Sequence, residues 1–175
     1  MASTQRIERL IRNIPDFPKP GIQFKDITPL IASPRGLSDA VDAMLELSPE
    51  DVDAVAAIES RGFIFGAPMA MALGAGFVPI RKPGKLPGAC FEESFELEYG
   101  SSTLAMHVDA LQPGQKVLLV DDLLASGGTL MAATRLIERA GAVVAQATVL
   151  LELADLDGRA VLTEHGLTVA SVLFC

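Results

Sequence analysis

The densest chemistry in the chain lies in one run of nine residues, Asp121-Asp122-Leu123-Leu124-Ala125-Ser126-Gly127-Gly128-Thr129. Gly127 and Gly128 let a backbone approach a ligand closely. A helix that starts there offers unpaired N–H groups and the positive end of its dipole to an anion. Ser126 and Thr129 add hydroxyl donors, so Ala125 to Thr129 reads as a phosphate cradle. Asp121 and Asp122 would repel a phosphate at contact. Ionised carboxylates only accept hydrogen bonds and vicinal hydroxyls donate them, so the pair suits a sugar diol. Phosphate at one end and diol at the other describe a ribose 5-phosphate as ligand. The run has neither the Gly-Lys-Ser/Thr triplet of a Walker loop nor the GxGxxG of a dinucleotide turn.

Two more polar loops follow apolar runs. Glu59-Ser60-Arg61-Gly62 comes after Ala54 to Ile58, and Arg81-Lys82-Pro83-Gly84-Lys85 comes after Phe77 to Ile80. Arg81, Lys82 and Lys85 gather three positive charges in a chain whose net charge is -8. Such a local reversal of sign concentrates a polyanion.

The elements that must position these loops follow from periodicity. Ala54 to Ile58 is an unbroken apolar run, and Lys116 to Val120 is one after its opening lysine, as in strands buried on both faces. Phe77 to Ile80, Val143 to Leu151 and Thr168 to Phe174 complete a set of sheet strands. Helices are expected from Phe63 to Leu73, stopped by Gly74, and after Thr129, where Leu130, Ala133 and Ile137 form a stripe stopped by Gly141. Phe95 to Tyr99 and Thr103 to Val108 read as a hairpin turning at Gly100-Ser101, and Asp157-Gly158 reads as a turn. Upstream, Ile7, Leu10, Ile11 and Ile14 have helical spacing, and Pro15 to Gly21 starts an extended loop running through Ile27. Ser33-Pro34 opens a helix that Pro49 ends. The order predicts an α/β fold with a mostly parallel central sheet. Ligands bind outside the carboxyl ends of such strands, where the three polar loops fall.

Composition narrows the class. The 175 residues correspond to a single domain, 1–175, able to bury roughly 70% of its unfolded surface. Half the residues are hydrophobic and 21% are charged, which excludes a disordered chain. The excess of 22 acidic over 14 basic residues argues against nucleic acid and anionic membranes as partners. Cys90 and Cys175 make neither a disulfide framework nor a zinc site. No apolar run reaches the ~20 residues of a membrane span, and MASTQRIERL lacks the apolar core of a signal peptide, so a cytoplasmic setting is expected.

VLLVDDLLASGGTL resembles the phosphoribosyl-pyrophosphate (PRPP) motif of the type I phosphoribosyltransferases. IPDFPKPGIQFKDITPL, IESRGFIFG, IRKPGKLPG and FELEYG, in that order, extend the resemblance to the adenine-using family within them. Lys25 stands where arginine is common, and Gln23 at a variable position. The resemblance implies the type I phosphoribosyltransferase fold with a small hood, formed by residues 1–33 and a flexible hairpin loop containing Glu98 and Tyr99. It implies purine salvage: transfer of the phosphoribosyl group of PRPP to N9 of adenine, giving AMP and pyrophosphate.

The same resemblance implies roles for residues. Ala125, Ser126, Gly127, Gly128 and Thr129 would bind the 5-phosphate, and Asp121 and Asp122 the ribose. Glu59, Ser60, Arg61, Arg81, Lys82 and Lys85 would bind pyrophosphate, with a non-proline cis peptide between Glu59 and Ser60. Gln23, Phe24 and Lys25 would meet adenine, partly through backbone groups. Glu98 and Arg61 would be catalytic, Glu98 by moving a proton on the adenine ring. Magnesium would ride in on pyrophosphate oxygens and water, with no direct protein ligand. A homodimer is implied through the region of Phe63, Ile64 and Phe65. Two other readings remain open at this stage: a transferase for guanine, xanthine, orotate or uracil, and a regulator that keeps the fold and binds DNA or RNA. The net charge of -8 and the lack of a DNA-reading unit weigh against the regulator.

Overall fold

The computed structural model describes residues 2–97 and 100–175, so the Glu98 and Tyr99 of the expected hairpin loop lie outside the described residues. The chain forms two compact units, Met1–Glu46 and Leu47–Cys175.

The first unit contains α1 (Ala2–Arg9), β1 (Arg12–Pro15), β2 (Gln23–Asp26), α2 (Thr28–Ala32) and α3 (Pro34–Glu46). The spacing of Ile7, Leu10, Ile11 and Ile14 predicts one helix, yet the helix ends at Arg9. Ile14 instead joins β1, opposite Phe24 of the antiparallel β2. Cross-strand pairing outweighs a helical period only two turns long. The expected extended loop is therefore a return between paired strands, closed by Asp16 Oδ1, which accepts the Gly21 N–H at 2.7 Å. Ser33 caps α3 as expected, its Oγ accepting the Gly36 N–H at 3.1 Å.

The second unit is built on β3 (Ala54–Ile58), α4 (Arg61–Leu73), β4 (Gly76–Ile80), the hairpin β5 (Cys90–Leu97) and β6 (Gly100–His107), β7 (Lys116–Leu124), α5 (Gly128–Arg139), β8 (Val143–Glu152), α6 (Gly158–Glu164) and β9 (Val169–Phe174). Five strands form one parallel sheet in the order β4-β3-β7-β8-β9. Alternate residues of a strand face opposite sides. Ala56, Ile58, Val117 and Leu119 pack in one cluster with Leu130, Ala133 and Ile137 of α5. Ala57 and Val120 point to the other side, where they meet α4 at Gly66. Helices thus cover both faces, which explains why every residue of β3 is buried. The hairpin is longer than its sequence pattern suggests. Gly100 and Ser101 are strand residues opposite Leu97 and Glu96, not the turn. Asp157-Gly158 is likewise more than a turn: Asp157 has φ 51°, and Gly158 opens α6.

The sheet order has a functional consequence. From β3 the chain moves outward to β4, then returns to place β7 on β3's other side. Such a reversal splays the connections apart and leaves a crevice at the carboxyl ends of the two strands. Glu59 to Gly62 and Asp121 to Thr129 leave from the two sides of that crevice.

At Gly66 an added Cβ would stand 2.5 Å from the Ala57 Cβ, so α4 sits on β3 with no room for a methyl group. Gly66→Ala is expected to destabilise the protein by about 1–3 kcal/mol through overpacking, despite alanine's better helix propensity. The midpoint of urea unfolding measures this; an unchanged or raised midpoint would show that the helix can shift freely.

Candidate active site

β7 carries its apolar run into Asp121 and Asp122 before the strand ends at Leu124. Both aspartates are buried, at 9% and 3% exposure. Asp121 Oδ1 accepts the backbone N–H of Asp122 at 2.9 Å. Nε of Arg61, the first residue of α4, lies 3.1 Å from Asp122 Oδ2. That contact is Coulombic rather than aligned, because this buried oxygen accepts no hydrogen bond. An acceptor held out of water without a donor costs free energy unless a ligand supplies one.

Burial, followed by the Asp122 charge, pushes the Asp121 carboxyl well above the usual carboxylate range. Burial also raises Asp122, against the pull of the Arg61 guanidinium. Two carboxylates at this distance from water resist being ionised together.

After β7 the chain turns at Gly127, which has φ 86° and leads into α5. Any Cβ there would also lie 2.9 Å from the Gly158 carbonyl oxygen, so glycine is required twice over. No side chain caps α5, and the N–H groups of its first turn have no acceptor within the helix. Arg61, Asp121, Asp122, Ala125, Ser126, Gly127 and Thr129 line one cavity of about 200 Å³. The structure thus brings together most of the residues expected to hold the ribose and its phosphate. Gly128 faces a neighbouring open cavity of about 580 Å³, shared with Ser126 and lined by Phe95, Arg135 and His165.

The cationic loop is built differently from its sequence reading. Glu59 Oε2 accepts both Arg81 Nε and the Lys82 N–H at 3.2 Å. Arg81 Nη1 donates to the Lys85 carbonyl at 3.0 Å. The Arg81 N–H donates to the Ala105 carbonyl at 3.0 Å, tying the loop to β6. The Glu59 carboxylate therefore faces the loop and braces it, while Lys82 and Lys85 are exposed. The Glu59–Ser60 peptide is trans, a correction to the expected cis bond; the cis bond among the described residues is Phe17–Pro18. The turn takes its unusual geometry from Ser60 instead, at φ 71° and ψ -102°.

Gln23, Phe24 and Lys25 form β2 in the first unit, where the Phe24 ring meets Phe17 edge-on with centroids 5.1 Å apart. Among the described residues no group of three His, Cys, Asp or Glu side chains is placed to hold a metal. No described helix is long and apolar enough to cross a membrane. Sequence reading missed Gly158, whose backbone packs against the cradle. The signal was present in GRAVLTEHG, a helical stretch with Leu162 inward and a glycine stop.

Comparison with known proteins supplies the class first. The phosphoribosyl transferase domain family matches residues 36–161, and fold and site together define a phosphoribosyl transferase. Adenine phosphoribosyltransferase from Cutibacterium acnes is 53% identical over 161 residues, covering 92% of this chain and 91% of the relative. That from Thermobifida fusca is 56% identical over 154 residues, covering 87% and 88%. The crystal structure of the Thermoanaerobacter pseudethanolicus enzyme superposes with TM-score 0.93 at 45% identity, over 98% of this chain and 99% of that one. The Saccharomyces cerevisiae enzyme, solved with adenine bound, gives TM-score 0.90 at 37% identity over 98% and 99%. The chain belongs to the adenine phosphoribosyltransferase family.

The buried acidic pair sets a pH dependence. Below the ordinary carboxylate value of 3.8 both native and unfolded chains hold these protons. As pH rises, the unfolded chain releases them first and the native state keeps them, so the pair's contribution to stability falls through the raised range. Asp121→Asn is expected to raise stability at pH 7.5 by about 0.5–2 kcal/mol, the usual size of such functional-site relief. The gain should shrink as the pH approaches 4. Denaturant midpoints across this range test it; a variant less stable at pH 7.5 would contradict the burial argument.

Proposed function

We propose that the chain transfers the 5-phosphoribosyl group of PRPP to N9 of adenine, forming AMP and releasing pyrophosphate. The observation that carries this reading is one cavity joining two buried carboxylates to an uncapped helix start. Ala125 to Thr129 bind the 5-phosphate through backbone N–H groups and the Ser126 and Thr129 hydroxyls. Asp121 and Asp122 accept the ribose hydroxyls, and the orphaned Asp122 Oδ2 gains the donor it lacks. At C1 the bond to the pyrophosphate oxygen breaks as the bond to N9 forms, through a state with oxocarbenium character.

Arg61 stands at the crevice with its charge partly balanced by Asp122, in a position to favour the developing negative charge on pyrophosphate. The turn of Glu59 and Ser60, with Lys82 and Lys85, completes the pyrophosphate side. Arg81 and Glu59 hold that loop in shape. Arg61, Lys82 and Lys85 would hold the pyrophosphate, and magnesium carried on that group with water would supply further positive charge against the leaving group. Gln23, Phe24 and Lys25 are assigned to adenine, and Glu98 takes up the N9 proton within a hood loop that includes Tyr99 and excludes water.

The same reading carries a cytoplasmic homodimer. Two cysteines in 175 residues fit a reducing compartment, and Met71 of α4, 84% exposed, offers an apolar side chain to a partner.

Incubation with PRPP, magnesium and each of adenine, guanine, hypoxanthine, xanthine, uracil and orotate tests the proposal. AMP and pyrophosphate should form with adenine and no nucleotide with the other bases. Product with a different base would preserve the cradle and overturn the base assignment. Nucleic-acid binding without turnover would favour the regulator.

A further inference from the structure

Arg159 is the second residue of α6, and every direction of its guanidinium is used. Nε donates to Glu152 Oε1 at 2.9 Å, and Nη2 pairs with Glu152 Oε2. Nη1 donates to the Val169 carbonyl at 2.7 Å, and Nη2 also donates to Ser171 Oγ at 3.0 Å. Ser171 in turn donates to Glu152 Oε2. The Phe174 ring lies under the guanidinium, 5.6 Å from centroid to Cζ. Glu152 is buried at the end of β8. Burial works to raise its pKa, but the hydrogen bonds from Arg159 and Ser171 outweigh it and hold the carboxyl below the usual range. The network thus fastens the start of α6 to the ends of β8 and the body of β9.

The residue beside Arg159 touches the cradle. A Cβ on Gly158 would fall 2.0 Å from the Ala125 carbonyl oxygen and 2.9 Å from Leu124 Cδ1. On the return side, a Cβ on Gly127 would meet the Gly158 carbonyl at 2.9 Å and Leu162 at 3.4 Å. Loop and helix start are therefore in backbone contact, and displacement of one moves the other. A bidentate Arg–carboxylate pair with further bonds is among the most directional anchors available to a side chain. An isolated seven-residue helix would hold its place poorly without one.

We infer that Glu152, Arg159 and Ser171 are positioning residues for the phosphate cradle. They set the place of Gly158, and Gly158 sets the curvature of Ala125 to Gly127. This rests on the reading of that loop as the 5-phosphate site. None of the three lines the cavity, so their effect is selective: binding of the sugar phosphate depends on them and binding of pyrophosphate does not.

The test is calorimetric titration of Arg159→Lys and Ser171→Ala with ribose 5-phosphate and, separately, with magnesium pyrophosphate. Lysine keeps a cation against Glu152 without the fork, and Ser171→Ala leaves the Arg159–Glu152 pair intact, so folded protein is available in at least one case. The ribose 5-phosphate Kd should rise about tenfold in Arg159→Lys and about threefold in Ser171→Ala, the scale of one or two lost hydrogen bonds. The pyrophosphate Kd should stay within about twofold. Thr129→Ala, which alters the cradle itself, separates the two claims. Weakened ribose 5-phosphate binding in Thr129→Ala with wild-type binding in both network variants overturns the inference alone. Wild-type binding in Thr129→Ala overturns the cradle and the inference with it. Equal losses for both ligands in the network variants make the network merely structural.

Discussion

Two carboxylates held out of water at the end of the central strand are the constraint around which the second unit is arranged. A strand carrying Asp121-Asp122 near its end would be more stable with almost any neutral pair there. Their placement is enforced by the apolar run behind them, Val117 to Val120, which is fully buried. Among the described residues, the cation set against the pair is Arg61, 3.1 Å from Asp122 Oδ2, a buried oxygen that accepts no hydrogen bond. The cavity is therefore prepared for donors that a ligand brings. Vicinal hydroxyls are donors of that kind, which is the physical basis of the proposed ribose site.

The second feature is how much of the site is made from backbone. Gly66 lets α4 close onto β3, and Gly127 and Gly158 let a loop and a helix start meet without side chains between them. The cradle is thereby shaped by main-chain contacts that side chains elsewhere hold in place. Glu59 does the same for the cationic loop, where its carboxylate gathers Arg81 and Lys82. Charged residues in this protein thus divide into those proposed to face ligands and those that keep loops in register. Residue type alone does not separate the two kinds.

That division marks how far the sequence could be read. β3, β7 and α5 were legible because unbroken apolar runs and a 3.6-residue stripe leave little choice of element. The gathering of Asp121 to Thr129 at one strand–turn–helix is legible because the segment is local, with all its parts within nine residues. The turn of Glu59 reads as part of a site, but the bracing work of its carboxylate does not, since its partners lie 22 and 23 residues away. α6 was hidden behind an Asp-Gly pair that normally signals a turn, and Ile14 behind a helical spacing that strand pairing overrode. Local patterns announced elements; contacts between distant segments decided the duties of individual side chains.

The proposed binding of a sugar diol by the buried pair can be measured at the carboxyl groups themselves. Carboxyl-carbon NMR titration of Asp121 and Asp122, with and without ribose 5-phosphate, measures it directly. Hydroxyl donors favour the ionised form, so the titration midpoint of the pair should fall when the sugar phosphate binds. A midpoint that stays in place, or rises, would mean that the diol is held elsewhere and that the acidic pair has another purpose.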